Sequence, residues 1–425
     1  MTDIVTLETG PLAFRGGAVA RDPEGKVVFV RGAAPGEVVE ARRVQRRSRF
    51  DLAELTRIRQ PSPDRVEPFC PLAGVCGGCD WQHVAPDAQR SAKQTFLADA
   101  LSRAGVDLKP EPVVSGPEYR AWRHRARLHL DAGRGGLRLG FFRPGTHEVI
   151  DAPDCPVLAA PLLDAAAAVR KALTGHVAEG TVELSLADEG VLATLHLSTA
   201  PRDPDGLLLA LAQSPALRGG VLAAPGAGSR RFGEVTGTKA LEVDGRRHRI
   251  PVTAGGFLQA NWGANALLVA QAVAEVSTLA PKGGRVTELY AGSGNMTLPL
   301  LAAGLTVEAW ESAGPAVKAL KAASPPGARL RVRRGDAALA LAPEHSTELP
   351  DVVLLDPPRA GARAVCERLC DLPVRGVVYV SCDPNTLGRD LGILVAGGWR
   401  LDRVTPVDLF PHTPHIEAVT SLSRP

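Results

Sequence analysis

Apolar and polar positions alternate in short runs over residues 1–59. The stretch AVARDPEGKVVFVRGAAPGEVVEARRVQRRSRFDLAELTRI (Ala18–Ile58) sets β-branched pairs between Gly/Pro turns. That pattern predicts a small all-β barrel, a frequent platform for oligonucleotides. The prolines of RQPSPDRVEPFCP then break it and predict a linker. Apolar residues return at helical spacing over Pro86–Ala104, which predicts a helix. In WRHRARLHL the period drops to two. As a strand it sets Arg123, Arg125, Arg127 and His129 on one face and His124, Ala126, Leu128 and Leu130 on the other. Strand-like runs and Ala-rich helices mix as far as about residue 250.

From about Gly256 the texture becomes strand–helix alternation. GGRVTELYAGSGNMTLPLLAAG reads as strand, glycine loop, helix. LTVEAWES, LRVRRGDA, LPDVVLLDPPRAG and VRGVVYVSCDPNT each end a strand at polar or Gly/Pro residues, and the last stretch, WRLDRVTPVDLFPHTPHIEAVTSLSR, predicts a closing hairpin. Repeated βα units predict a doubly wound, mostly parallel sheet. The expected organisation is therefore a barrel over 1–59, a central α+β domain over 60–255, whose helix over 86–105 is expected to pack on the last domain, and an α/β domain over 256–425.

Bulk properties narrow the class. The chain has 425 residues, 45% hydrophobic and 22% charged, which is long enough for two or three domains. It shows neither an apolar run of about 18 residues nor a basic, apolar leader at the N-terminus, so a cytoplasmic enzyme is expected. Net charge is only +3, but arginines cluster at Ala41–Arg49 and Tyr119–Leu130. Nothing specific points to a membrane or to an obligate protein partner.

The candidate chemistry sits at strand ends. Gly292 and Gly294 allow a tight turn and close approach of a ligand. ELYAGSGNMT lacks the Lys-Ser/Thr of a P-loop and the third glycine of a dinucleotide fingerprint. Glu311 ends the next strand, where a carboxylate can take both ribose hydroxyls, and Asp336 ends a third, where an adenine amino group could be read. Glycine loop, acid, acid across successive strands suggests S-adenosylmethionine. The Asp356-Pro357-Pro358 turn resembles the motif of nucleobase amino-group methyltransferases, but Arg359 stands where those enzymes carry an aromatic. Cys382, at the mouth of a strand, suits a different reaction. A thiolate added to uracil C6 makes C5 nucleophilic, and a separate base must then remove the C5 proton. Glu417 is the candidate base.

Of seven cysteines, three fall in FCPLAGVCGGCDWQH: Cys70, Cys76 and Cys79. Cys155, between prolines in DAPDCPVL, is the remaining N-terminal cysteine and the candidate fourth ligand. Four thiolates suit either zinc or an iron–sulfur cluster. Cys366 and Cys370 read as packing residues.

Taken in order, FCPLAGVCGGCDWQH, GFLQANW, GSGNMTLPL, LLDPPRAG, SCDPNTLGRDL and FPHTPHIEAV resemble the S-adenosylmethionine-dependent RNA uracil-5-methyltransferases. The resemblance spans nearly the whole chain. It implies a TRAM-like (OB-type) N-terminal barrel, a class I (Rossmann-like) methyltransferase domain, and a [4Fe-4S] cluster rather than zinc on Cys70, Cys76, Cys79 and Cys155. It implies further that Gln259 contacts cofactor or base and that Tyr290, Asn295 and Glu311 line the cofactor pocket. Asp336 lies near the adenine, Asp356 lies beside the base and the methyl donor, Cys382 is the nucleophile and Glu417 the base. The expected product is 5-methyluridine in RNA, with 23S rRNA placed ahead of tRNA and amino-group methylation as the runner-up reaction.

Overall fold

The computed structural model describes residues 3–14, 16–133, 136–176, 179–226, 228–342 and 349–424. Five strands, β1 (Ile4–Leu12), β2 (Ala18–Arg21), β3 (Val27–Arg31), β4 (Val38–Arg46) and β5 (Phe50–Gln60), close a barrel in the order β1-β2-β3-β5-β4. Alternation along the strands aims Leu7, Val28, Val30, Val39 and Ala41 into its core. The arginines of Ala41–Arg49 look like one unopposed basic run in the sequence. Folding brings acids to three of them. Arg43 pairs with Asp3, Asp22 and Asp51, Arg46 with Asp3, and Arg42 with Glu54.

The predicted helix forms as α1 (Pro86–Arg103), with Pro86 at its first turn. The central region comprises β6 (Val114–Ser115), β7 (Arg125–Gly133), β8 (Gly136–Phe142), β9 (Val149–Asp151), α2 (Ala160–Ala172), β10 (Glu179–Ala187), β11 (Gly190–Leu197), α3 (Pro204–Ala212), β12 (Gly219–Ala224) and β13 (Gly228–Gly233). Its sheet runs β13-β12-β11-β10-β7-β8-β9. The short β6 instead pairs with the far sheet described next.

The C-terminal region comprises β14 (Thr236–Val243), β15 (Arg246–Thr253), α4 (Trp262–Leu279), β16 (Arg285–Leu289), α5 (Thr297–Ala302), β17 (Thr306–Glu311), α6 (Gly314–Ala323), β18 (Leu330–Arg334), α7 (Ala337–Ala340), β19 (Val352–Leu355), α8 (Arg363–Cys370), β20 (Gly376–Ser381), α9 (Pro384–Ala396), β21 (Arg400–Asp408) and β22 (Glu417–Ser423). Its sheet runs β18-β17-β16-β19-β20-β22-β21-β6. The first five are mutually parallel and β22 enters antiparallel between β20 and β21. The near-continuous burial of β19 and β20, VVLL and GVVYVS, is what a strand covered on both faces requires.

Segments N-terminal to Gly256 share this domain's interior. Leu241, Val243, Ile250 and Val252 of the β14–β15 hairpin pack with Leu268 and Val269 of α4. Leu97 and Leu101 of α1 pack with Leu387 and Leu391 of α9. Among the described residues no helix is long and apolar enough to cross a membrane.

Candidate active site

Along β18-β17-β16-β19-β20 successive strands are added to one side up to β18 and to the other from β19, so the strand order switches between β16 and β19. At that point connections leave to opposite sides, and a crevice opens at the carboxyl ends of the strands. Register places the strand-end residues along it. Leu289 pairs with Leu355 and with Trp310, so Tyr290, Glu311 and Asp356 follow side by side. Ser381 pairs with Ala418, which sets Cys382 against Glu417 on the neighbouring strand.

One cavity of about 330 Å³ lies at the carboxyl ends of β17, β16 and β19 and is lined by Gln259, Tyr290, Gly292, Asn295, Glu311 and Asp356 among others. Its floor is the glycine loop. Gly294 has φ +100°, and a Cβ there would come within 2.6 Å of Leu320 Cδ1. Glu311 accepts from Gly292 N at 2.9 Å on one oxygen and from Ala313 N at 2.7 Å on the other. Ser312 Oγ also donates to the second oxygen at 3.3 Å, so the first oxygen keeps a lone pair for a ribose hydroxyl, and the second can take one if the serine turns away. Asn295 and Asn265 exchange amide hydrogen bonds at 2.9 Å, fixing the loop to α4. Asp336 is not among the residues lining this cavity. Its side chain caps α7 by accepting from Ala338 N. It does act on Tyr290, whose hydroxyl pKa is raised by burial and by Asp336.

Cys382 is placed by its neighbours. Asp383 caps α9, accepting from Asn385 N at 2.9 Å and Thr386 N at 3.1 Å, and Pro384 occupies the first helical turn. The thiol is thus pinned between the end of β20 and a helix start. Burial, then Glu417, push its pKa up to about 12, with Arg359 opposing them. Asp356 is pushed up to about 7 by burial, and Glu417 is raised by burial and by Asp356. A carboxyl that reading the sequence did not single out lies beneath them. Glu288, at the start of ELYAGSG on β16, is buried and accepts from Thr297 Oγ1 at 2.5 Å. Burial pushes it up to about 8. Its signal was visible as a lone acid inside an apolar strand. Phe257, at 68% the most exposed large hydrophobic among the described residues, lines the cavity beneath the Arg125 guanidinium, 5.5 Å from its ring centroid.

The four N-terminal cysteines meet. Cys70, Cys76, Cys79 and Cys155 line one cavity with Leu72, Phe141 and Val157. Burial raises the thiol pKa of Cys76, Cys79 and Cys155, that of Cys79 to about 12. Arg123 also lines this cavity, and its buried Nε has no hydrogen-bond partner. An unsatisfied guanidinium beside four sulfurs fits an anionic thiolate-bound group. Among the described residues, no three His, Cys, Asp or Glu side chains are placed to hold a single metal ion. Lining the cysteine cavity ahead of β7, Arg123 leaves the row of guanidinium groups expected on one face of this strand. Arg125 and Arg127 remain on the sheet and both pair with Glu183 of β10, which a single-strand pattern could not reveal.

The parallel sheet, its crevice and the glycine loop with Glu311 define a class I methyltransferase that uses S-adenosylmethionine. Comparison with known proteins carries this further. The tRNA (Uracil-5-)-methyltransferase family profile matches residues 346–425. A 23S rRNA (uracil(1939)-C(5))-methyltransferase RlmD of Halomonas elongata is 36% identical over 97% of this chain and 88% of its own. Its namesake in Chromohalobacter salexigens is 37% identical over 97% of this chain and 88% of its own. The solved tRNA (uracil-54, C5)-methyltransferase of Pyrococcus abyssi, in complex with S-adenosyl-L-homocysteine, superposes with a TM-score of 0.77. It covers 98% of this chain and 99% of its own at 23% identity, a likeness of fold. The chain belongs to the S-adenosylmethionine-dependent RNA uracil-5-methyltransferases, and it methylates uracil C5 in RNA.

Proposed function

We propose that the substrate is a uridine of 23S rRNA and that methylation proceeds through a covalent bond from Cys382 to uracil C6. The observation that carries this reading is the β20–β22 register, which sets a thiol and a carboxyl opposite each other beside the cofactor crevice. S-adenosylmethionine supplies an electrophilic methyl group. The Cys382 thiolate adds to C6, and the C5–C6 π electrons become enolate density on C5 and O4. C5 takes the methyl group as the sulfonium–methyl bond breaks, and the electron pair of that bond stays with sulfur in the departing thioether. Glu417 removes the C5 proton, the electron pair reforms C5=C6, and the C6–S bond breaks to return the thiolate. Asp356, pushed up to about 7 by burial, keeps a sizeable protonated fraction near neutrality, and in that form it can donate a hydrogen bond to the uracil ring beside the methyl donor. Gln259, Tyr290, Gly292, Asn295, Glu311 and Asp336 serve the cofactor. The relatives' names favour rRNA over tRNA.

Cys70, Cys76, Cys79 and Cys155 would hold a [4Fe-4S] cluster, whose net negative charge Arg123 would offset. Iron and acid-labile sulfide assays separate this from zinc. In this reading residues 1–59 form an RNA-binding barrel, 60–255 a cluster-bearing RNA-binding domain and 256–425 the catalytic domain, in a cytoplasmic enzyme. The target uridine must leave its stack to reach Cys382.

Tritium release from RNA labelled at uracil C5 tests substrate and chemistry together. Release is expected from unmodified 23S rRNA and not from tRNA; the reverse would reassign the substrate. Cys382→Ala should abolish release. Glu417→Gln should accumulate a slow-migrating protein–RNA adduct on denaturing gels, and its absence would reassign the base.

A further inference from the structure

We propose that Arg359, held in place by His415, is the cation that makes Cys382 a nucleophile. The inference rests on the covalent reading above and adds what activates the thiol.

The sheet order does the placing. Arg359 leaves β19 through the Asp-Pro-Pro turn, and His415 lies on the loop that leads into β22. β20 runs between those two strands. Arg359 Nη2 lies 3.5 Å from His415 Nε2, so the contact crosses the mouth of β20, where Cys382 sits. The two prolines stiffen one abutment of this bridge. The other is packed: the His415 ring stands edge-on to Phe14 of the barrel at 6.5 Å and to Phe410 at 5.9 Å.

Charge completes the case. The groups acting on the thiol are Asp356 from the β19 turn, Glu417 from β22 and Arg359. Both acids oppose its ionisation, and Arg359 favours it. His415 faces Arg359, Lys93, Arg123 and Asp383. Burial and those cations push it down to about 4, so near neutrality it is an uncharged imidazole that can face a guanidinium without repulsion. A buried thiol with two carboxyls beside it needs such a cation to ionise. On activation the S–H proton passes to solvent, and the sulfur keeps the electron pair that it then gives to C6.

The test reads the thiol directly. The full chain is treated with iodoacetamide across a pH series, and modification of Cys382 is followed by peptide mass spectrometry. Arg359→Gln should move the alkylation midpoint to higher pH. Below that midpoint only the thiolate reacts, so a midpoint one pH unit higher means a rate at pH 8 lower by about tenfold. Arg359→Lys should recover much of the rate, and His415→Ala should fall between. Thermal unfolding and S-adenosylmethionine binding of each variant report whether the fold is kept. An unchanged midpoint in Arg359→Gln, with Cys382→Ala inactive, overturns the role of Arg359 alone. So does a loss of RNA affinity with no change in alkylation, which would make Arg359 an RNA contact. Full methyl transfer by Cys382→Ala overturns the covalent reading and this inference with it.

Discussion

Burial holds three carboxyls at the crevice, Glu288, Asp356 and Glu417, above their ordinary range. Glu288 is the simplest to examine, because it touches Thr297 and not the cavity. Its ordinary value is 4.5 and its value in the fold about 8. The fold therefore takes up a proton that the unfolded chain has lost, and stability falls as pH rises through this window. Glutamine keeps the acceptor for Thr297 and has no proton to lose. Glu288→Gln should leave the melting temperature nearly unchanged at pH 5 and raise it relative to the parent at pH 8. Thermal scans at both pH values check this, and a difference that shrinks with pH would refute it. At this scale most of the site was legible. Cys382, Glu417, Asp356 and Glu311 each interrupt an apolar run where a strand ends, which is a local signal. Arg123 was not legible as a cavity residue, because its period-two neighbours, Arg125 and Arg127, share its sequence character but not its surroundings.

At Gly388 and Gly392, helix α9 approaches the backbone of α1 so closely that a side chain at either position would meet it. A Cβ on Gly388 would lie 2.6 Å from Ala100 O, and one on Gly392 3.2 Å from Ala104 O. Glycine inside a helix costs about 1 kcal/mol against alanine, so its presence twice, four residues apart, marks a packing demand. Gly388→Val should force the helices apart and destabilise by about 1–3 kcal/mol, read as a lower denaturant midpoint. The same change should slow methyl transfer, since Asp383 and Pro384 at the start of α9 seat Cys382. The sequence pattern identified both helices and set the first against the C-terminal domain, but it did not name the element there that covers it. Helical periodicity reports which face is apolar and is silent on which element covers it.

Across the whole molecule, the cysteine segment is bonded to the catalytic hairpin. Asp80 N and Trp81 N, immediately after Cys79, donate to His412 O at 2.8 and 2.9 Å. His412 sits at φ +67° with its Nε2 2.8 Å from Tyr119 O, and its N donates to Gln89 Oε1 at 2.8 Å. A second tie runs through Arg123, whose backbone bonds Val157 and Ala159 beside Cys155, while the adjoining His124 N donates to Ala260 O beside Gln259. If the four cysteines hold the proposed cluster, stripping its iron with a chelator should therefore speed amide exchange in residues 79–82, 259–261 and 410–416 and spare β16 and β19. Hydrogen-exchange mass spectrometry would show it, and uniform protection after iron loss would confine the cysteines to a local role.

The order of motifs along the chain pointed to uracil C5 methylation and to its candidate residues, because each motif carries its chemistry within a few positions. The same is true of barrel, helix and parallel strands, whose periods are local. Only the tertiary structure decided which arginines face acids, which one lines the cysteine cavity, and that Arg359 reaches His415. Those outcomes depend on contacts between positions far apart in sequence, 40 residues for Arg43 with Asp3 and 58 for Arg125 with Glu183. Charge pairing across a sheet is set by register, and register is a property of the packed sheet rather than of any one strand.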